Sequence, residues 1–157
     1  MDAQKTRLMR LLGIKEQTTK LALGNLVRAR EQFIAGKMQH EKLLEYRREY
    51  LEQLNSLGNE GCKVAHIRNR LDFINQLDRA LGQIAQQLAH LAKQRTNCEQ
   101  LYFRAKSEED VVKSLLEKLE KREKMKENRR NQKENDEYAQ KQWYSKSSMI
   151  NSNKRGE

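Results

Sequence analysis

Not one proline occurs in the 157 residues of this chain, where ordinary usage of about 5% would place roughly eight. A chain that nowhere fixes φ or drops a backbone donor can run as uninterrupted helix. It lacks the punctuation that loop-rich domains, sandwiches and barrels depend on. The hydrophobic fraction is 36% and the charged fraction 34%, which is thin for a three-dimensional core when globular domains sit at about 45–50%. Disorder would account for so polar a chain, but not for the regular spacing of its leucines and isoleucines. What remains is an all-α class, long helices sharing a narrow apolar seam.

From Gln4 to about Leu57 nothing breaks a helix except the isolated glycines Gly13, Gly24 and Gly36. Each costs about 1 kcal/mol against alanine and permits a partner helix to approach closely. Breakers cluster only at Asn55–Gly61, where Gly58 suits a helix end. The predicted plan is one elongated coiled-coil protein: helix 1 over about 4–57, a turn at 58–62, helix 2 over about 63–143, and a disordered polar tail over about 144–157. In helix 2, Ile67, Leu71, Ile74, Leu77, Leu81, Ile84, Leu88 and Leu91 step by threes and fours, as the seam of a coiled coil does. The stripe continues through Cys98, Leu101, Ala105, Val112, Leu115 and Leu119, and helix 1 answers with Leu8, Leu12, Leu26, Phe33, Leu43, Tyr50, Leu54 and Leu57.

Two helices joined by a short turn run antiparallel, so the expectation is an antiparallel two-helix coiled-coil hairpin. With the turn centred near Gly58–Gly61, facing residue numbers should total about 120. Leu8 then falls opposite Val112, Tyr46 opposite Ile74 and Tyr50 opposite Arg70. Beyond Leu119, where the partner helix runs out, helical residue types persist without the stripe. That segment reads as a single-helix C-terminal overhang, supported by i,i+4 pairs such as Glu117–Lys121.

The net charge of +10 is unevenly spread: +5 over residues 1–30, +1 over 31–116 and +4 over 117–157. In an antiparallel hairpin the first and last segments share one end, which is therefore basic and suited to an acidic partner surface or to phosphates. Nothing points to catalysis. No phosphate-binding glycine loop is present, and His40, His66 and His90 have no metal-ligand spacing, Cys62–His66 being a lone pair. Glu108, Glu109 and Asp110 are explained by ion pairing with Arg7 and Arg10 across the hairpin. No enzyme activity, cofactor or metal is expected. Acids interrupt the basic residues at nearly every turn, and the aromatics do not interleave with a basic stripe, which argues against nucleic acid. No apolar run reaches the roughly 18 residues of a membrane span, and the N-terminal residues lack the features of a secretory signal. Cys62 and Cys98 form no disulfide framework. The expected setting is cytoplasmic.

Three segments carry a resemblance: LLEYRREYLEQL from Leu43, FINQLDRAL from Phe73, and NQKENDEYAQ from Asn131. In that order, around a central Gly/Asn turn, they resemble the FliJ family of bacterial flagellar export proteins over roughly residues 5–142. The resemblance implies a stalk like the central shaft of rotary ATPases. It implies binding to the hexameric flagellar export ATPase, contact with the cytoplasmic domain of the transmembrane export gate, and help in escorting export substrates or their chaperones. The chain would then lie in the cytoplasm, peripherally associated with the inner membrane at the flagellar base, without inserting into the membrane.

The family's gate-contact surface maps here to Tyr46, Tyr50, Phe73, Leu77 and Ala80, with apolar Ile84 departing from the polar residue that would continue it. Tyr50 and Leu77 also read as seam residues, whereas Tyr46 and Phe73 stand one step off the seam. The ATPase-ring contact is expected at the basic open end, through Arg7, Arg10, Arg129, Arg130, Tyr138 and Trp143. The same physics would serve the shaft of a virulence-type secretion system, or a basic coiled-coil adaptor for nucleic acid or an acidic membrane.

Overall fold

The computed structural model describes residues 3–59 and 63–155, the side chains of Asn59 and of residues 153–155 excepted. The chain is all-α and forms a two-helix hairpin: α1 spans Ala3–Asn59 and α2 spans Val64–Arg155, with no strand among the described residues. The Lys63 carbonyl accepts the first bonds of α2, from the His66 and Ile67 amides. Gly58 is helical and does not end α1. Residues 60–62 of the expected turn, and with them the Cys62–His66 pair, lie outside the described residues. The helix also continues where a disordered tail was expected, since residues 144–155 belong to α2; residues 156 and 157 lie outside the described range. The serines and asparagines of this stretch weaken a helix by only tenths of a kcal/mol each, and no proline stops it.

Two compact units make up the chain, one of Ile14–Glu109 and one of Met1–Gly13 with Asp110–Glu157. In the first unit the side chains withdrawn from solvent on α1 include Lys15, Thr19, Ala22, Leu26, Ala29, Phe33, Gly36, His40, Leu43, Arg47, Tyr50, Leu54 and Leu57. On α2 they include Ile67, Arg70, Ile74, Leu77, Leu81, Ile84, Leu88, Leu91, Arg95, Cys98, Tyr102, Ala105 and Glu109. Both series alternate steps of three and four without a break, the spacing of a coiled-coil seam. In the second unit Lys5, Leu8 and Leu12 on α1, and Val112, Leu116, Leu119 and Glu123 on α2, have the same spacing.

The strict alternation corrects three expected seam residues. Leu71, Leu101 and Leu115 are 46%, 58% and 47% exposed, and the seam passes through their neighbours Arg70, Tyr102 and Leu116. A leucine search misses Arg70 because arginine lays its aliphatic stem along an apolar surface and keeps its charged head outside. Arg70 sets its guanidinium 5.8 Å from the Tyr50 ring centroid, and Arg95 sets its own 4.4 Å from that of Phe33, each within cation–π range. Thr19, 8% exposed, donates its hydroxyl to the Lys15 carbonyl at 2.9 Å, which removes the penalty of burying it.

The register also differs from expectation. Tyr50 meets Phe73 and Lys15 meets Glu108 on one flank, Arg47 meets Asp78 on the other, and Gly36 faces Leu88 in the seam, so facing residue numbers total about 124 and not 120. Because α1 runs through Gly58 to Asn59, the reversal lies further along the chain, and facing partners shift by about one helical turn. Leu8 accordingly shares a cavity wall with Leu115 and Leu119, and Glu108 pairs with Lys15 at 3.0 Å in place of the expected Arg7 or Arg10. Glu109 is buried and accepts from Lys106 at 3.4 Å.

Of the three α1 glycines expected to permit close helix approach, only Gly36 has the partner helix against it. A Cβ there would lie 3.1 Å from Leu88 Cδ2 and 3.2 Å from Leu91 Cδ1. At Gly13 nothing lies within 4 Å, and at Gly24 only the Arg28 side chain of the same helix does. In the second unit α2 continues past Glu123 as an overhang of about 32 residues, or about 48 Å. From Lys124 to Ser152 its side chains are exposed, with only Ser147 half-buried.

Candidate functional site

In a coiled coil, the position just before every second seam residue lies along one flank of the pair. On α1 of the Ile14–Glu109 unit these positions are Thr18, Asn25, Gln32, Gln39, Tyr46 and Gln53. On α2 they are Phe73, Ala80, Gln87, Gln94, Leu101 and Glu108. Cavity walls shared by Thr18, Asn25 and Leu101, and by Asn25, Gln32 and Gln94, tie the two rows to the same flank.

Tyr46, Phe73 and Ala80 therefore share one flank, with Tyr46 54% and Phe73 38% exposed and Ala80 half-buried. Tyr50 and Leu77 belong to the seam. Leu77 is 8% exposed, while Tyr50 is half-buried and its ring lies 4.5 Å from that of Phe73 at an interplanar angle of 39°. The stack holds Phe73 in place on the surface while leaving much of it open. On the opposite flank Arg47 Nε donates to Asp78 Oδ1 at 2.6 Å, and Arg30 pairs with Glu99 at 3.4 Å. Ile84 is a half-buried seam residue.

The six residues expected at the basic end all belong to the second unit and are all exposed. Arg7 and Arg10 stand on the first turns of α1, while Arg129, Arg130, Tyr138 and Trp143 are distributed along the overhang. Tyr138 accepts a hydrogen bond from Gln142 Nε2 at 3.1 Å, and the Trp143 and Tyr144 rings meet edge-on at 5.2 Å. Residues 1–13 with 110–157 carry a net charge of +6, against +4 for the longer stretch 14–109.

Among the described residues no three of His, Cys, Asp and Glu gather as metal ligands, and no helix is long and apolar enough to cross a membrane. Two carboxyls on the surface are held below the usual carboxylate range, Glu108 by its hydrogen bond from Lys15 and Glu45 by its hydrogen bond from Arg48. What the arrangement offers chemically is contact: a stacked aromatic flank on one unit, and exposed arginines and aromatics on the other.

The family described as "Flagellar FliJ protein" matches residues 4–148. The chain belongs to the FliJ family. This FliJ-family protein is thus a component of the flagellar export apparatus, from a family of non-catalytic components. No curated protein and no solved structure gives a significant match. The family match reaches Ser148, so most of the overhang is family sequence.

Proposed function

We propose that the protein is a stalk coupling the cytoplasmic export ATPase ring to the transmembrane export gate, and that it assists the escort of substrates or their chaperones. In this reading the unit containing both chain ends meets the ATPase through Arg7, Arg10, Arg129, Arg130, Tyr138 and Trp143. The Ile14–Glu109 unit meets the cytoplasmic domain of the gate through Tyr46 and Phe73, with Ala80 beside them and Tyr50 and Leu77 supporting from the seam. The protein then works at the cytoplasmic face of the inner membrane, at the flagellar base.

The observation that carries this reading is the exposed aromatic pair Tyr46 and Phe73 on one flank, with Phe73 stacked on Tyr50. An aromatic held in one orientation loses little entropy on docking, which is why such residues serve as anchors in interfaces. The test mixes the protein with the flagellar export ATPase at low salt and follows hydrolysis and ring assembly. Absence of both binding and stimulation would sink the stalk reading. Independently, Tyr46→Ala with Phe73→Ala should abolish binding to the cytoplasmic domain of the gate, and motility with it, while the hairpin stays folded. Intact gate binding in that variant would remove this surface from the proposal.

A further inference from the structure

The flank that carries Tyr46 and Phe73 has, further along the same unit, a groove that the stalk reading does not use. Its floor is made of small seam side chains, Ala22, Cys98 and Ala105, where most seam positions carry large ones. Its walls are Leu21, 69% exposed, and Leu101, 58% exposed. The cavity between them holds about 280 Å³, and adjoining cavities continue it past Asn25 toward Gln32 and past Leu101 to Arg104. From Thr18 to Gln32 it follows α1 for about four turns, or about 21 Å.

The charged side chains lining these cavities have one sign. Arg28 lines one adjoining cavity and Arg104 the other. Arg28 donates to the side-chain carbonyl of Asn25. Glu99 is engaged by Arg30 on the opposite flank, and Glu108, one turn beyond Arg104 on α2, is hydrogen-bonded by Lys15 while also feeling the Arg104 charge. Two large apolar walls over a floor of small residues, with cations alongside, match a helix of a particular kind. Its apolar side chains recur at i, i+3 or i+4, and i+7, and its edges carry carboxylates. A second copy of the chain fits poorly, since symmetric packing of groove on groove would bring arginines against arginines.

We infer that this groove is the docking site for an amphipathic, acidic-edged helix of about four turns from another protein. The docked helix packs on Leu21 and Leu101, covers Cys98, and sets its carboxylates against Arg28 and Arg104. The site involves neither the ATPase nor the gate, so it stands or falls apart from the stalk reading.

The test uses the full chain with Cys62→Ser, leaving Cys98 as its one thiol. The probe is a synthetic helical peptide with leucines at i, i+3, i+7 and i+10 and glutamates along both edges, compared with its lysine-edged counterpart. Saturable binding of the glutamate peptide, with Cys98 alkylation by iodoacetamide slowed about fivefold or more, is the expected result, corresponding to a bound state occupied most of the time. Leu21→Ala with Leu101→Ala should weaken binding about tenfold or more. Both side chains are exposed, so this variant should keep its thermal midpoint. Arg28→Glu with Arg104→Glu should reverse the preference between the two peptides. Equal binding of both peptides, unprotected Cys98, or binding unchanged in the leucine variant would overturn the proposal. So would a dimer in sedimentation equilibrium that the leucine variant abolishes, because the groove would then belong to a second copy.

Discussion

The seam of the Ile14–Glu109 unit and the overhang beyond Glu123 are both continuous helix, but for different reasons. In the seam, helix is fixed by packing: Leu26 is 2% exposed, Ile74 5% and Leu77 8%. In the overhang Met125, Tyr138, Trp143, Tyr144, Met149 and Ile150 are all more than half exposed. There the helix rests on backbone propensity and local pairs, which are worth only tenths of a kcal/mol per residue. A helix of that kind remains soft until a partner covers it. The contrast teaches that one helical assignment can describe two mechanical materials.

The largest expected effect separates the two directly. Leu26→Ala should cost about 2–4 kcal/mol in chemical denaturation, as buried leucines do. Ile150→Ala in the overhang should stay within about 0.5 kcal/mol. If the two substitutions cost the same, the overhang is packed in solution and the contrast fails. Ending the chain after Glu123 should likewise leave the thermal midpoint of the remainder nearly unchanged. Backbone amides beyond Glu123 should also exchange far faster than those around Leu26 in the intact protein. Equal protection along both stretches would contradict the softness of the overhang.

Most of the fold could be read from the sequence, because all eight large apolar residues assigned to the α1 seam do occupy it. What escaped were the seam positions filled by other residue types. Lys15, Arg47, Arg70, Arg95 and Glu109 keep the spacing while breaking the hydropathy signal. Following the three-and-four alternation without regard to residue type would have found them. The register was missed by about one turn because Gly58, whose freedom suits it to ending a helix, is compatible with continuing one for a small penalty. The aromatic flank was visible as two large side chains one step off the stripe. The groove was not, since it depends on small residues from both helices meeting in the corrected register.

Within the paired region, two glycines sharpen what packing means. A Cβ at Gly82 meets nothing within 4 Å, so Gly82→Ala should stabilise by about 0.5–1 kcal/mol through helix propensity alone. At Gly36 the same gain is offset by crowding against Leu88 and Leu91, and Gly36→Ala should change stability by less than about 0.5 kcal/mol. Gly36→Leu, which cannot be accommodated by small shifts, should cost about 1–3 kcal/mol. Equal stabilisation by both alanines in thermal melts would show that the helices separate more readily at Gly36 than their spacing implies.

The smallest effect belongs to the charges beside the seam. The Lys15 ammonium, 3.0 Å from Glu108, holds that carboxyl below its usual range. A carboxyl whose folded pKa is depressed stabilises the fold fully above its unfolded value of about 4.3 and loses that contribution as pH falls through the folded value. Glu108→Gln should therefore lower the thermal midpoint slightly at neutral pH, and the gap from wild type should close on acidification through that window. The pair is open to solvent on its Glu108 side, so added salt should narrow the gap as well. The overhang offers the control. Glu127 is exposed and stands beyond the last paired turn of α2, so Glu127→Gln should change the midpoint at neutral pH less than Glu108→Gln does. A gap of equal size at Glu127 would mean that the Glu108 effect reflects overall charge, with no specific contribution from its contact with Lys15.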